Sequence, residues 1–325
     1  MQLEARRVSW PLAGTFAISR GAKTQSDVVQ VALTDGIYTG HAECTPYPRY
    51  GETVDSVLEQ LEQAAGALSE RTDVRAIQAL LPAGAARNAL DCAWWDLQAK
   101  SQGTSVVALF GLAAPRPVVS AYTLSLDSPE AMGRAAAIHA HVPLMKLKLA
   151  GEGDLERVAA VRENAPNAQL IVDANEGWSA DQVEPFSTAL AALGVVMIEQ
   201  PLPAADDALL SEVGHPIPLC ADESCHTRDG LAQLVGRYEF INIKLDKTGG
   251  LTEALALRDA ARGHGFRIMV GCMLASSLAM APAVLVAQGA EIVDLDGPLW
   301  LAKDHEPSLV FVGTEISPPA PALWG

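Results

Sequence analysis

Positive charge is scarce in this 325-residue chain: 23 Lys and Arg stand against 39 Asp and Glu, a formal net charge of -16. Nucleic acid and anionic membrane surfaces repel such a balance, so neither is expected as a partner. A small anion is still admissible, because the local field of a cleft can oppose the global sign. Cysteines are few. Cys44, Cys92, Cys220, Cys225 and Cys272 are odd in number and show no disulfide or metal-ligand spacing, which makes a reducing cytoplasm the expected setting. No apolar run reaches the roughly 18 residues of a membrane span, and the stretch 1–7 opens no apolar signal core. Neither a nucleotide P-loop nor a Ser-His-Asp arrangement is legible. Aromatics make up only 5% of the chain.

What is present is a large apolar fraction, 49%, and length enough for a barrel plus a smaller domain. Residues 1–114 read as α+β. Strands over 28–33 and 37–43 flank the hairpin signal Thr34-Asp35-Gly36, and helical patterns follow over 52–68, 74–80 and 85–98. The Trp94-Trp95 pair on the last helix is expected at an interdomain contact. Stretches 14–23 and 45–51, rich in Gly, Pro and Tyr, read as loops able to cover a site. From 115 to 306, strands alternate with helices. The strands fall at 118–126, 145–149, 170–175, 196–200, 219–223, 240–246, 268–272 and 292–296. Eight strands at a near-constant step predict a modified (β/α)7β TIM-like barrel with an N-terminal α+β capping domain. The tail, 307–325, is expected to pack back on that cap.

Functional groups of such a barrel gather at the C-terminal ends of its strands. Lys146 and Lys148, two residues apart, share one face of strand two. Alone, the pair would read as an exposed edge strand protected by lysines. The following strands end in Asp173, Glu199 and Asp222, and strand six ends in Lys244. Each carboxylate taken singly could cap a helix or pair with a loop lysine. Three at matching positions are a hard oxygen set suited to Mg²⁺, with Mn²⁺ as a substitute, one ion per chain. Lys148 and Lys244 then flank the metal from opposite sides. A metal-chelated carboxylate acidifies its α-proton by stabilising the enediolate. The positive charges of Lys146 and the cation would make Lys148 a usable base. Two bases on opposite faces let a proton leave one side and return on the other, which is racemisation or epimerisation.

These strings also carry a resemblance. Lys-x-Lys, Asp-x-Asn, Glu-Gln-Pro, Asp-Glu-Ser and Asn-Ile-Lys, in this order, resemble the enolase superfamily and its muconate-lactonising subgroup. The stretches 43–51, 221–228, 242–257 and 295–298 are similar to those of the L-Ala-D/L-Glu epimerases. The resemblance implies Asp173, Glu199 and Asp222 as metal ligands, Lys148 and Lys244 as acid/base pair, and Lys146 as helper. It implies that Asp294 and Asp296 receive the α-ammonium of a dipeptide, and it places the substrate in murein peptide metabolism. The glutamate side-chain carboxylate then needs a cation, for which Arg20 and Lys23 in the covering loop are the candidates. Lys23 stands where the family would carry an arginine, a loss of bidentate recognition. Thr123 and the stretch 271–273 are expected pocket walls. A cycloisomerase on the same fold would use the same lysines and carboxylates, and a non-catalytic metal-binding barrel is the third reading. A homo-oligomer is compatible with the sequence.

Overall fold

The computed structural model describes residues 1–325. Strands β1 (Gln2–Ile18), β2 (Gly21–Thr34) and β3 (Thr39–Cys44) form an antiparallel sheet. Helices α1 (Val54–Ala65), α2 (Val74–Leu80), α3 (Ala85–Gln102) and the single turn α4 (Val106–Leu109) follow it. Thr53 caps α1 by accepting from Ser56 N, so the helix starts two residues later than its apolar pattern suggests. α3 runs four residues further than expected and stops at Gly103, which sits in the left-handed region.

The expectation of a loop over 14–23 is corrected. After a register shift between Pro11 and Phe16 the β1–β2 ladder resumes, pairing Phe16 with Lys23, Ala17 with Ala22 and Ile18 with Gly21. The stretch is the tip of a long hairpin. Gly14 and Pro11 interrupt the alternation that would have revealed β1, and the ladder bulges where they lie.

The eight-stranded parallel sheet comprises β5 (Tyr122–Leu124), β6 (Leu144–Lys148), β7 (Gln169–Asp173), β8 (Val195–Glu199), β9 (Leu219–Ala221), β10 (Phe240–Ile243), β11 (Arg267–Gly271) and β12 (Ile292–Asp294). Ala121 N donates to Val293 O at 2.7 Å, which brings the first and last strands together into a nearly closed barrel. The expected strand 118–126 is two pieces. Its start, β4 (Val118–Val119), leaves the barrel and pairs with β14 (Glu315–Ile316), which pairs in turn with β13 (Phe311–Val312). Trp324 Nε1 donates to Cys92 O on α3, so the chain end lies against that helix. The barrel's outer helices are α5 (Pro129–Ile138), α6 (Asp154–Asn164), α7 (Ala180–Ala192), α8 (Leu231–Leu234), α9 (Leu245–Thr248), α10 (Leu251–Gly263) and α11 (Ser277–Val286). The link from β8 to β9 carries a 3₁₀ turn, Asp207–Glu212, in place of an α-helix. No helix is long and apolar enough to cross a membrane.

Strand parity explains the interior. Ala121, Leu144, Ile171, Met197, Cys220, Phe240, Met269 and Ile292 form a separate buried cluster, one residue from each strand or its approach. They close the lower end of the barrel. Two residues on, the same faces present Thr123, Lys146, Asp173, Glu199, Asp222, Asn242, Gly271 and Asp294. An apolar floor therefore carries a layer that is almost wholly polar.

The N-terminal elements dock on the barrel through buried polar bonds. Asp246 accepts from Thr45 N at 3.0 Å and Asn88 Nδ2 at 2.8 Å. Asp91 accepts from Thr252 Oγ1 at 2.6 Å, and Trp95 Nε1 donates to the same hydroxyl, while Trp94 Nε1 donates within the cap to Thr72 O. Gly249 and Gly250, both with positive φ, allow this approach: a Cβ on either would meet Arg87 or Asp91 at about 2.5 Å or less. Burial pushes the Asp246 carboxyl from 3.8 up to about 7. A folded-state value above the unfolded one means stability present at low pH and lost as pH rises through about 7. Asp246→Asn keeps the acceptor and removes the penalty. It is expected to raise the thermal midpoint by several degrees at pH 8 and hardly at pH 4, and an equal shift at both would contradict the account.

Candidate active site

A cavity of about 460 Å³ lies over the C-terminal ends of the strands, roofed by the β1–β2 hairpin and the 45–51 loop. Lys146, Lys148, Asp222, Lys244, Asp294 and Asp296 all line it. Asp173 and Glu199 lie just beneath, fully buried.

Lys146 is the centre of the charged layer. Its Nζ lies 2.7 Å from Asp294 Oδ2, 2.7 Å from Glu199 Oε2 and 3.2 Å from Asp173 Oδ2. Burial opposes its charge, but Asp294, Glu199 and Asp173 overcome that and hold it well above the ordinary lysine value. Lys148 Nζ sits 2.6 Å from Asp173 Oδ2, the oxygen that Lys146 also approaches. On the other side Lys244 Nζ sits 2.6 Å from Asp222 Oδ2. For Lys244 too, burial is outweighed by Asp222 and Glu199, and its value rises.

The carboxylates differ among themselves. Burial opposes ionisation of Asp173, yet Lys148 and Lys146 bring it down to about 2. Asp222 falls well below the usual range under Lys244 and Lys247, against the burial effect. Glu199 goes the other way, up to about 7, raised by burial and by Asp173. Its share of Lys146 is too small to compensate, since that ammonium serves three carboxylates. Its Oε1 accepts from Asn242 Nδ2 at 2.8 Å, while Oε2, close to Lys146, is out of line for a hydrogen bond. As the side chains lie, no three carboxylates converge at metal-ligand distances; each is turned onto a lysine. The donor set still fits a hard cation. Three buried carboxylates from adjacent strands form it, one short of positive charge and carrying an unbonded oxygen.

Asp294 and Asp296 are brought together through Thr123, whose N–H donates to Asp296 Oδ2 at 2.6 Å and whose hydroxyl reaches Asp294 Oδ1 at 3.3 Å. Burial and the Asp294 charge push Asp296 up to about 7, as expected of a pair lacking one cation. Arg20 and Lys23 both reach the cavity from the hairpin, but Arg20 is already engaged. Its guanidinium donates to Glu223 Oε1 at 2.7 Å, Asn175 O at 2.9 Å and Tyr47 OH at 3.1 Å. Lys23 has no carboxylate partner, and its Nζ lies 5.8 Å from the Tyr47 ring centre.

With this geometry in view, two family models match the chain. Enolase C-terminal domain-like proteins match residues 131–320, and the mandelate racemase / muconate lactonizing enzyme N-terminal domain matches residues 1–111. The chain belongs to the enolase superfamily. This superfamily member is 49% identical over 310 residues to an L-Ala-D/L-Glu epimerase of Escherichia coli (strain K12), covering 95% of this chain and 97% of that one. It is 46% identical to an N-acetyl-D-glutamate racemase of Pseudoalteromonas sp, over 92% and 95% of the two chains. Among solved structures it matches an enolase family member from Agrobacterium tumefaciens with homology to dipeptide epimerases, determined with bound sodium, L-Ala-L-Glu and an ordered loop. The TM-score there is 0.97 at 49% identity, over 99% of both chains.

Several residues beside the charged layer make contacts that no local pattern in the sequence reveals. Gln200 holds a left-handed backbone (φ 36°) and accepts from Asp222 N and Ser224 N through one amide oxygen. Asn175 and Glu176, with φ of 46° and 65°, form the ledge that Arg20 grips. Glu176 also receives a bidentate contact from Arg49. Each lies inside or beside a recognised string, but only the fold shows what it touches.

Proposed function

We propose that this chain is a dipeptide epimerase that interconverts L-Ala-L-Glu and L-Ala-D-Glu, with residues 1–114 as cap, 115–306 as barrel and 307–325 as tail. The observation that carries the reading is the pair Lys148 and Lys244, each seated on a buried carboxylate at opposite sides of one cavity. Lys148 removes the glutamate α-proton from one face and Lys244 delivers a proton to the other; the roles exchange in the reverse direction. Lys146, tied to three carboxylates, stays charged and faces the substrate's carboxylate as a fixed cation. Asp294 and Asp296 receive the α-ammonium, and Thr123 holds both in register. Lys23 pairs with the side-chain carboxylate, while Arg20, held by Glu223, keeps the hairpin over the cavity.

Asp173, Glu199 and Asp222 would hold one Mg²⁺, with Mn²⁺ as substitute. Such an ion supplies positive charge where the substrate carboxylate gains negative charge as the α-proton leaves. The sodium and L-Ala-L-Glu bound by the Agrobacterium protein support a cation and a dipeptide in this fold. Turnover of murein peptides is the process in which an Ala-Glu dipeptide would arise, and five free cysteines support a reducing, cytoplasmic setting.

A cycloisomerase acting on a dianionic muconate-like substrate is disfavoured, because it would face the buried Asp294/Asp296 pair without an ammonium. The racemase relative points to a second reading, N-acetylglutamate, which shares an N-acylated glutamate centre but lacks the ammonium. Chiral separation of glutamate after incubation and hydrolysis distinguishes them. L-Ala-L-Glu with Mg²⁺ is expected to yield D-Glu faster than N-acetyl-L-Glu does. Exclusive turnover of N-acetyl-L-Glu, or lactone formation, would overturn the dipeptide reading.

A further inference from the structure

Gln200 lies outside the lining of the cavity and is fully buried, so it has no contact with substrate in the reading above. It follows Glu199 directly, and all of its polar atoms are engaged. Its amide oxygen accepts from Asp222 N at 2.9 Å and from Ser224 N at 3.2 Å. Two backbone donors can face only an oxygen, which settles the orientation of the amide. The amide nitrogen donates to Ser224 Oγ at 2.8 Å, Leu202 O at 2.9 Å and Tyr238 OH at 3.0 Å. In the main chain, Gln200 N donates to Cys220 O and Gln200 O accepts from Glu176 N, both at 2.9 Å. One residue therefore joins the strand ends that carry Asp173, Glu199 and Asp222.

The three carboxylates are not held alike. Asp173 is in register with Lys148 and Glu199, and Glu199 with Asp173 and Cys220, so the parallel ladders fix both. The ladders on either side of β9 end at Cys220 and Ala221, which leaves Asp222 beyond them. Its carbonyl accepts from Cys225 N and Lys247 Nζ, bonds that do not reach β8. The tie between Asp222 and the strand of Glu199 is the Gln200 amide. Gln200 keeps a φ of 36°, a conformation that a non-glycine residue holds only where its surroundings impose it. We propose that Gln200 is a positioning residue for the cation: by fixing Asp222 against Glu199 it sets the spacing of the three ligands, and with it the choice between a small ion and a large one. The inference rests on the reading that Asp173, Glu199 and Asp222 hold a divalent ion. Their side chains turn from the lysines to that ion, while their backbones stay where the ladders and Gln200 hold them. Mg²⁺ needs near-ideal octahedral geometry at about 2.1 Å, whereas Ca²⁺ tolerates irregular sites at roughly 2.3–2.6 Å. Slack in Asp222 therefore weakens Mg²⁺ binding and spares Ca²⁺.

The test is calorimetric titration of chelator-stripped protein with Mg²⁺ and with Ca²⁺, beside its thermal midpoint without either. Gln200→Met keeps the length and bulk of the side chain and removes its hydrogen bonds. It is expected to lose about 30-fold in Mg²⁺ affinity, within the range of outer-shell substitutions, and less than about threefold in Ca²⁺ affinity. The ratio of the two affinities thus falls by about tenfold or more. Unchanged Mg²⁺ affinity would overturn the proposal. Equal loss of both ions would do the same, because a merely structural role weakens the carboxylate set without regard to ion size. Tyr238→Phe, which takes one acceptor from the amide nitrogen and leaves the bond to Asp222, is the structural control. It should lower the midpoint and keep the ratio within about twofold. A ratio that falls as far in this control would make it a measure of stability and overturn the proposal. If Gln200→Met does not fold, Gln200→Gly, at ease at a φ of 36° and without the amide, should show the same fall in the ratio. Failure of both to fold makes Gln200 a folding element and overturns the proposal. A parent that binds no Mg²⁺ refutes the cation reading itself, a separate result from a parent that binds Mg²⁺ no more tightly than its Gln200 variant.

Discussion

Lys148→Ala and Lys244→Ala should each lower interconversion of the two epimers by about 10³-fold or more, the scale of a lost general acid or base. The loss should fall on kcat, because each ammonium is engaged by a carboxylate at 2.6 Å and contributes little to holding the substrate. Each variant should retain α-proton exchange from only one epimer, the one whose α-proton faces the remaining lysine. The two variants should therefore be mirror images in an exchange assay. Either one interconverting the epimers near the parent rate would make the two-base assignment wrong.

The second large effect concerns Glu199. Glu199→Gln preserves an oxygen for Asn242 and nearly the same volume, but removes a charge from the three-carboxylate set. It should weaken Mg²⁺ binding, measured by calorimetric titration of chelator-stripped protein, by about 10²-fold, and lower kcat at least as much. The parent's affinity should also rise with pH. Burial and Asp173 push the Glu199 carboxyl up to about 7, so cation uptake must displace a proton at pH 6 and need not at pH 8. A Gln variant that binds Mg²⁺ like the parent would remove Glu199 from the ligand set. An affinity flat between pH 6 and 8 would remove the charge argument.

The polar layer was legible because strand parity is a local property. Lys146 and Lys148 two apart, and Asp173, Glu199 and Asp222 each closing an apolar run, announce a shared inward face without any knowledge of their partners. The floor beneath them follows from the same parity, and so does the eight-fold repeat. β1 was illegible for the opposite reason. Its 17 residues are mostly exposed or half-exposed, and Pro11 and Gly14 break their alternation; only the ladder to β2 makes them a strand. Arg20 and Lys23 looked equivalent in the chain, being cations three residues apart. What separates them is Glu223, some two hundred residues away, which occupies one and leaves the other free. Lys247 stood in plain view beside Lys244, yet two of its three acceptors belong to Asp222, 25 residues earlier at another strand end. Residues that act through a partner distant in sequence carry no local signature.

The most direct test of the central claim is the isotopic content of L-Ala-D-Glu formed from unlabelled L-Ala-L-Glu in D₂O at early times. Proton removal by one lysine and delivery by another predicts one deuteron on the glutamate α-carbon of nearly every product molecule. Product formed without deuterium, or turnover to a compound that is no epimer, would contradict it.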